Sequence, residues 1–360
     1  MRLLALFAAL LLPLAAAAQT RSVNVFNWSD YIDPAAVERF EAETGIKVRY
    51  DVYDSLETLE AKLLAGKSGY DVVVPTSEPT FSRLVRSGAL QRLDAAKIPS
   101  LAGLDPALTA RVATSDPKSG HGAIYLWGTI GLAVNPAKLK QLAPNAPADS
   151  WDLLFKPEYA KAMASCGIAM LDSAIDVVPT ALKYLGKSPD STNASDLAAV
   201  EKLLKSIRPH IRTFSSGGMI EALASGETCL AIAYSGDAIQ AAGRAAEAGR
   251  GVEVRFVVPK EGAQLWFDLL AIPADAPNPA EAHAFIDFML RPATIAAVTN
   301  TVSYPNAVPT SLPMVEQAIR DDPGIYPPPA LQRGFFTIGP VPAEAARARS
   351  RMWTRFKTNR

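Results

Sequence analysis

The chain has 360 residues, more than one hydrophobic core normally supports, so two domains are the expectation. Hydrophobic residues make up 49% and charged ones 20%, a composition that excludes a disordered chain. The 36 basic and 36 acidic side chains cancel and no Lys/Arg-rich run occurs, which removes the electrostatic case for a nucleic-acid partner.

In chain order the first feature is a targeting segment. Arg2 supplies a positive charge, Leu3 to Leu14 an apolar stretch, and Ala15 to Ala18 the small residues of a cleavage site. A signal peptide over residues 1–18, cleaved near Ala18, is expected, with the mature chain starting near Gln19. A membrane-spanning anchor would need about 20 apolar residues, and polar residues begin at Gln19. No cysteine lies near the cleavage point, so a lipid attached there is excluded. The expectation is a protein free in a Gram-negative periplasm, without a direct membrane anchor.

The run Val23 to Phe26 reads as a strand, and Asp33-Pro34 as a helix start, with Asp33 capping and Pro34 in the first turn. Val37 and Phe40 supply that helix's buried stripe and Gly45 its end. Ile46 to Val52 alternates as a strand. Ser55 caps a helix that carries Leu56, Leu59, Leu63 and Leu64 on one face, and Gly66 stops it. Asp71 to Pro75 reads as a buried strand. Strand and helix thus alternate in units of about 20 to 25 residues, which predicts an α/β fold with a largely parallel sheet covered by helices on both faces. The rhythm returns with a strand at Cys229 to Tyr234, a helix at Ala238 to Ala248, a strand at Leu265 to Pro273 and a helix at Pro279 to Leu290. The last presents Ala282, Phe285, Ile286 and Met289 at helical spacing. No low-complexity linker separates two independent domains, so two lobes joined by more than one strand are expected.

Two cysteines in an exported chain, Cys166 and Cys229, most simply form one disulfide, with two buried free thiols as the alternative. Closing that loop would stabilise the fold by about 4 kcal/mol in the chain-entropy model. The three histidines, His121, His210 and His283, are not spaced with cysteine or carboxylate as metal ligands usually are, so neither a metal nor a cofactor is expected.

In sheets of this kind ligands sit beyond the carboxyl ends of strands. Trp28-Ser29-Asp30-Tyr31 follows the first strand, Pro75-Thr76-Ser77-Glu78 the third, and Tyr234-Ser235-Gly236-Asp237 a later one. Each has a plain alternative: partial burial for Trp28 and Tyr31, solvation for Asp30 and Glu78, helix capping for Asp237, and ordinary loop polarity for Thr76 and Ser216. Asp268 differs, because it stands inside the apolar run from Leu265 to Ile272, where a carboxylate is costly without a partner. Carboxylates interleaved with aromatic faces suit organic ammonium groups, through charge-assisted hydrogen bonds and cation–π contact. A glycosidase also uses two acids and aromatic platforms. No G-x-S-x-G elbow, Walker loop or G-x-G-x-x-G follows a strand, however, and a non-enzymatic role is expected.

The run NVFNWSDYIDPAAVERFEAETGIKVRYDVYDS resembles the start of the periplasmic polyamine-binding proteins of ABC importers, of the putrescine-binding type. The resemblance continues through GYDVVVPT, SWDLLFKPE, CGIAMLD, SGDAIQAAGRAAEA, VVPKEGA, FDLLAIPADA, SYPNA and PGIYPPP. It implies a two-lobed type II clamshell, each lobe a mixed, mostly parallel sheet flanked by helices, that traps a polyamine by hinge closure and hands it to a membrane permease. Lobe 1 would hold residues 22–125 plus 258–300, and lobe 2 residues 126–257 plus 301–360. Putrescine is the implied ligand, with spermidine also open, and a monomer is expected. A sugar receptor of the same architecture and a ligand-sensing component remain as alternatives.

By matching motif, Trp28, Ser29, Asp30, Tyr31 and Thr76 would line the pocket from lobe 1. Asp176, Ser216, Tyr234 and Asp237 would line it from lobe 2, with Trp266, Asp268 and Tyr304 completing it. The pairing of Cys166 with Cys229 also resembles that type. The chain departs from the pattern in places: Asp176 stands where glutamate is familiar, Tyr234 where tryptophan is, Trp266 where phenylalanine is and Thr76 where serine often is. Glu78 is an additional acid that would meet a third amine or face solvent.

Overall fold

A computed structural model describes residues 21–113, 115–116, 120–215 and 217–359. The expected signal peptide and Ser216 lie outside the described residues. Among those described, no helix is long and apolar enough to cross a membrane.

Ten strands form one continuous hydrogen-bonded arrangement: β1 (Ser22–Trp28), β2 (Lys47–Tyr53), β3 (Val72–Val73), β4 (Leu90–Gln91), β5 (Gly122–Val134), β6 (Ile168–Met170), β7 (Thr213–Phe214), β8 (Leu230–Tyr234), β9 (Arg255–Val257) and β10 (Leu265–Pro273). The strand order is β2-β1-β3-β10-β5-β8-β6-β7, with β4 paired to β10 and β9 to β5. The outer ladders are parallel, β1 with β2 and β3 at one end and β6 with β7 and β8 at the other. At the centre β10 and β5 run antiparallel to their neighbours, where the alternating strand–helix rhythm alone predicts parallel pairing.

The long strand β5 joins the two regions. Its Gly122 to Thr129 pair with β10, whereas Ile130 to Val134 pair with β8. Twelve of its 13 residues are buried, which is why GAIYLWGTIGLAV shows no polar alternation. The expected lobe division at residues 125/126 falls inside this strand.

Helices cover the sheet, among them α1 (Pro34–Thr44), α2 (Leu56–Leu64), α3 (Ala174–Tyr184), α4 (Ala194–Ile207), α5 (Ser235–Ala248), α6 (Pro279–Met289), α7 (Pro292–Val302) and α8 (Ala343–Thr358). The expected caps form: Asp33 accepts from the Ala35 N–H, Ser55 accepts from the Thr58 N–H, and Gly45 ends α1 with a positive φ. Two faces are narrower than predicted. In α1 the buried pair is Ala36 and Phe40, with Val37 only partly covered. In α2 Leu59 and Leu63 are buried, while Leu64 is 54% exposed, because a nine-residue helix resting one side on the sheet has no partner for that edge. Helix α5 starts three residues earlier than expected, at Ser235. In α6 all four predicted residues are buried. Cys166 and Cys229 are disulfide-bonded, tying the segment before β6 to the start of β8 with a Cα–Cα distance of 5.6 Å.

Candidate functional site

A cleft at the strand ends is lined by eleven of the twelve predicted site residues; the twelfth, Ser216, lies outside the described residues. They arrive from separate elements, each with a local cause. After β1 the chain turns sharply at Asp30, whose φ of 53° is one that Asp tolerates better than most residues. That turn leaves Asp30 exposed and buries Tyr31. The Trp28 indole donates to the Val74 carbonyl at 3.1 Å, and its ring lies 4.6 Å from that of Tyr53. Past α7, Ser303 takes a left-handed conformation (φ 58°) that ends the helix and delivers Tyr304 to the cleft.

Two glycines make the packing possible by close approach rather than by turning. A Cβ on Gly236 would lie 2.4 Å from the Tyr304 ring, and one on Gly128 2.5 Å from the Trp266 ring. With both absent, Tyr31, Tyr304, Trp266 and Tyr234 form a chain of edge-to-face contacts, with centroids 5.3, 5.2 and 5.9 Å apart in that order.

The carboxylates are set against these rings. Asp268 is 4% exposed, and a bulge in the β5–β10 pairing follows it directly. The Thr76 hydroxyl donates to its Oδ1 at 2.6 Å, and the Tyr31 hydroxyl lies beside it. Burial pushes its pKa up to about 7; Thr76 and Tyr31 oppose that rise and the charge of Asp176 adds to it. In Asp237 burial likewise raises the pKa, to about 6, against the opposing Tyr304 hydroxyl. That hydroxyl donates to Asp237 Oδ1 at 2.7 Å and accepts from the Asp237 N–H at 3.2 Å. Asp237 therefore does not cap α5: it sits inside the first turn with its side chain turned to Tyr304, because the helix begins at Ser235. Asp176, in the first turn of α3, accepts from the Tyr234 hydroxyl at 2.8 Å and from the Gln264 amide at 3.1 Å, and burial raises its pKa. Asp30 is 3.5 Å from Arg244 of α5.

Some of the lining was not predicted. Asp54, Glu57, Glu78 and Asp172 join the four expected acids, so the described lining carries eight carboxylates and no Lys or Arg. Solvation, the plain alternative for Glu78, does not hold: it is 4% exposed and accepts from the Ser82 hydroxyl at 2.6 Å, because the first turn after β3 folds it inward. Burial raises its pKa. Gln264 carried a usable signal, since Gln264, Trp266 and Asp268 share one face at the strand period of two. Tyr53 follows the strand-end rule at the close of β2. Thr337 and Ile338 reach the cleft from the distant C-terminal region, with no motif to mark them.

Comparisons with known proteins identify the family and the fold. Residues 35–327 match the model of the bacterial extracellular solute-binding protein family. The putrescine-binding periplasmic protein SpuD of Pseudomonas aeruginosa is 47% identical over 348 residues, 96% of this chain and 95% of that protein. The putrescine-binding periplasmic protein PotF of Escherichia coli is 45% identical over 347 residues, 96% of this chain and 93% of that protein. Among solved structures, the spermidine/putrescine ABC transporter substrate-binding protein PotD of Streptococcus pneumoniae superposes with a TM-score of 0.78 at 27% identity. That match covers 94% of this chain and 99% of the other.

Proposed function

The chain belongs to the bacterial extracellular solute-binding proteins, and from that premise we propose that it captures a polyamine, putrescine first, in its cleft and delivers it to an ABC permease. The observation that carries this reading is the cleft's charge: eight carboxylates and no Lys or Arg among its described lining residues, of which only Asp30 and Asp172 are ion-paired among the described residues, with Arg244 and Lys357. A buried carboxylate without a cation is unfavourable, and a bound ammonium group removes that cost.

In this reading Asp30, Asp237 and Asp268 hold the ammonium groups, while Trp28, Tyr234, Trp266 and Tyr304 cover the methylene chain. Ser29, Tyr31 and Thr76 complete the first side, and Asp176 and Ser216 the second. The lobes are 22–125 plus 258–300 and 126–257 plus 301–360, and closure between them presents the loaded form to the permease. The mature protein begins after Ala18, works in the periplasm and acts as a monomer. Titration calorimetry of the mature protein, unfolded and refolded to remove bound ligand, tests the reading against putrescine, cadaverine, agmatine, spermidine and maltose. Saturable binding of one or two amines with silence from maltose supports it. Silence from every amine in folded protein refutes it.

A further inference from the structure

Inside the cleft the Asp176 carboxylate is gripped from two sides. The Tyr234 hydroxyl donates to Oδ2 at 2.8 Å, and Gln264 Nε2 donates to Oδ1 at 3.1 Å. Gln264 itself is held by its backbone. The Ile130 N–H donates to its carbonyl at 3.0 Å, and on either side of it the Leu265 N–H donates to the Phe336 carbonyl (2.7 Å) and the Phe336 N–H to that of Ala263 (3.1 Å). The side chain is 2% exposed, and its Oε1 has no hydrogen-bond partner among the described residues. Reversing the amide would set Oε1 against the carboxylate, so Asp176 decides which end of the amide faces it. Burying an amide with its acceptor unsatisfied opposes folding, and a methionine of similar length would carry no such cost. Packing therefore does not explain a polar side chain at this position; Asp176 does.

We propose that Gln264 is a positioning residue for ligand recognition: with Tyr234 it holds the short acid Asp176 in one orientation, so that the lone pairs left on its oxygens are presented to an ammonium group of the ligand. The proposal rests on the reading of the cleft as an amine receptor. The surroundings show why two donors are needed. Glu57 of α2 acts on Asp176 with like charge, Asp176 in turn acts so on Asp268 of β10, and the groups that favour the charged form of Asp176 are the Ser173 and Tyr234 hydroxyls and the Gln264 amide. Without a donor, a proton competes with the ligand for the carboxylate. The segment around Phe336 thereby supports one end of the ligand site through Gln264.

The test is a double-mutant cycle of Gln264→Met and Asp176→Asn, with putrescine affinity measured by calorimetry from pH 6 to 8.5. Gln264→Met is expected to weaken binding about tenfold at pH 7, the size of one charge-assisted hydrogen bond, and to move the acidic limb of the profile upward. In the Asp176→Asn background the same change is expected to have little effect, because the two residues act as one unit. Should Gln264→Met fail to fold, Tyr234→Phe removes only the other donor and is expected to shift the profile in the same direction. An unchanged profile, or an equal loss in both backgrounds, overturns the positioning role while leaving amine binding intact. Failure of the unaltered protein to bind any amine overturns the receptor reading as well.

Discussion

On the outer face of α4, Glu201 sits between Arg355, which donates to both its oxygens at 3.0 and 2.9 Å, and Lys205 at 3.2 Å. Its pKa is lowered, chiefly by Arg355. In the cleft, Asp268 meets hydroxyl groups instead, and burial pushes its pKa up to about 7. The same chain thus pairs acids with bases on its surface, and at the cleft's rim through Asp30 with Arg244 and Asp172 with Lys357, but gives the buried cleft acids Asp176, Asp237 and Asp268 only hydroxyl and amide partners. Surface pairs contribute little stability, typically under about 1 kcal/mol. The buried cleft acids Asp176, Asp237 and Asp268 oppose folding until a cation arrives, a stability cost that is common at functional sites.

The largest expected effect that sharpens this contrast is pH dependence. A ligand that needs Asp268 and Asp237 ionised competes with protons once pH falls below about 7 for the first and about 6 for the second. Affinity for putrescine should fall about tenfold per pH unit below 7 and more steeply below 6, a factor on the order of a hundred or more between pH 8 and 5. Titrations across that range check it, and a flat profile would break the contrast.

Next in size is Asp268→Asn, expected to weaken amine binding by at least about 1.5 kcal/mol, the lower range for hydrogen bonds to charged groups. The same change should raise the thermal midpoint of the ligand-free protein at pH 8. The sign follows from linkage. A carboxyl whose folded pKa is raised binds more protons folded than unfolded between about pH 4 and 7, so the free protein loses stability as pH rises through that window. Thermal melts at pH 5 and 8, with and without putrescine, should show the ligand reversing the trend. A smaller loss, about 1 kcal/mol in amine affinity, is expected for Tyr304→Phe, which deletes the hydroxyl that donates to Asp237. Smallest is Glu201→Gln: under about 1 kcal/mol in stability by chemical denaturation, and no change in binding.

The residues that were legible in the sequence are those whose local chemistry points one way. Asp33-Pro34 and Ser55 form the caps their types predict, and an acid inside the run Leu265 to Ile272 reads as special because burial without a partner is costly. Strand β5 shows no period, because burial on both faces erases the alternation that marks a strand. Asp237 is ambiguous for a different reason. A capping Asp and a cleft Asp look alike beside Ser-Gly, and only the start of α5 at Ser235 separates them. Tyr304 is marked by the SYPNA resemblance, while Gln264, a neutral amide just before the apolar run, is marked only by its strand period with Trp266 and Asp268 and carries no charge signal. Glu78 reads as a solvated loop acid in the sequence, whereas the turn after β3 folds it inward.

The most direct test of the central claim is titration of the refolded mature protein with putrescine at pH 7 in two buffers of different ionisation enthalpy. The account predicts saturable binding with net release of protons, so that the apparent enthalpy changes with the buffer, because an arriving ammonium group displaces the proton that Asp268 shares at that pH. No binding, or binding whose enthalpy is the same in both buffers, would contradict it.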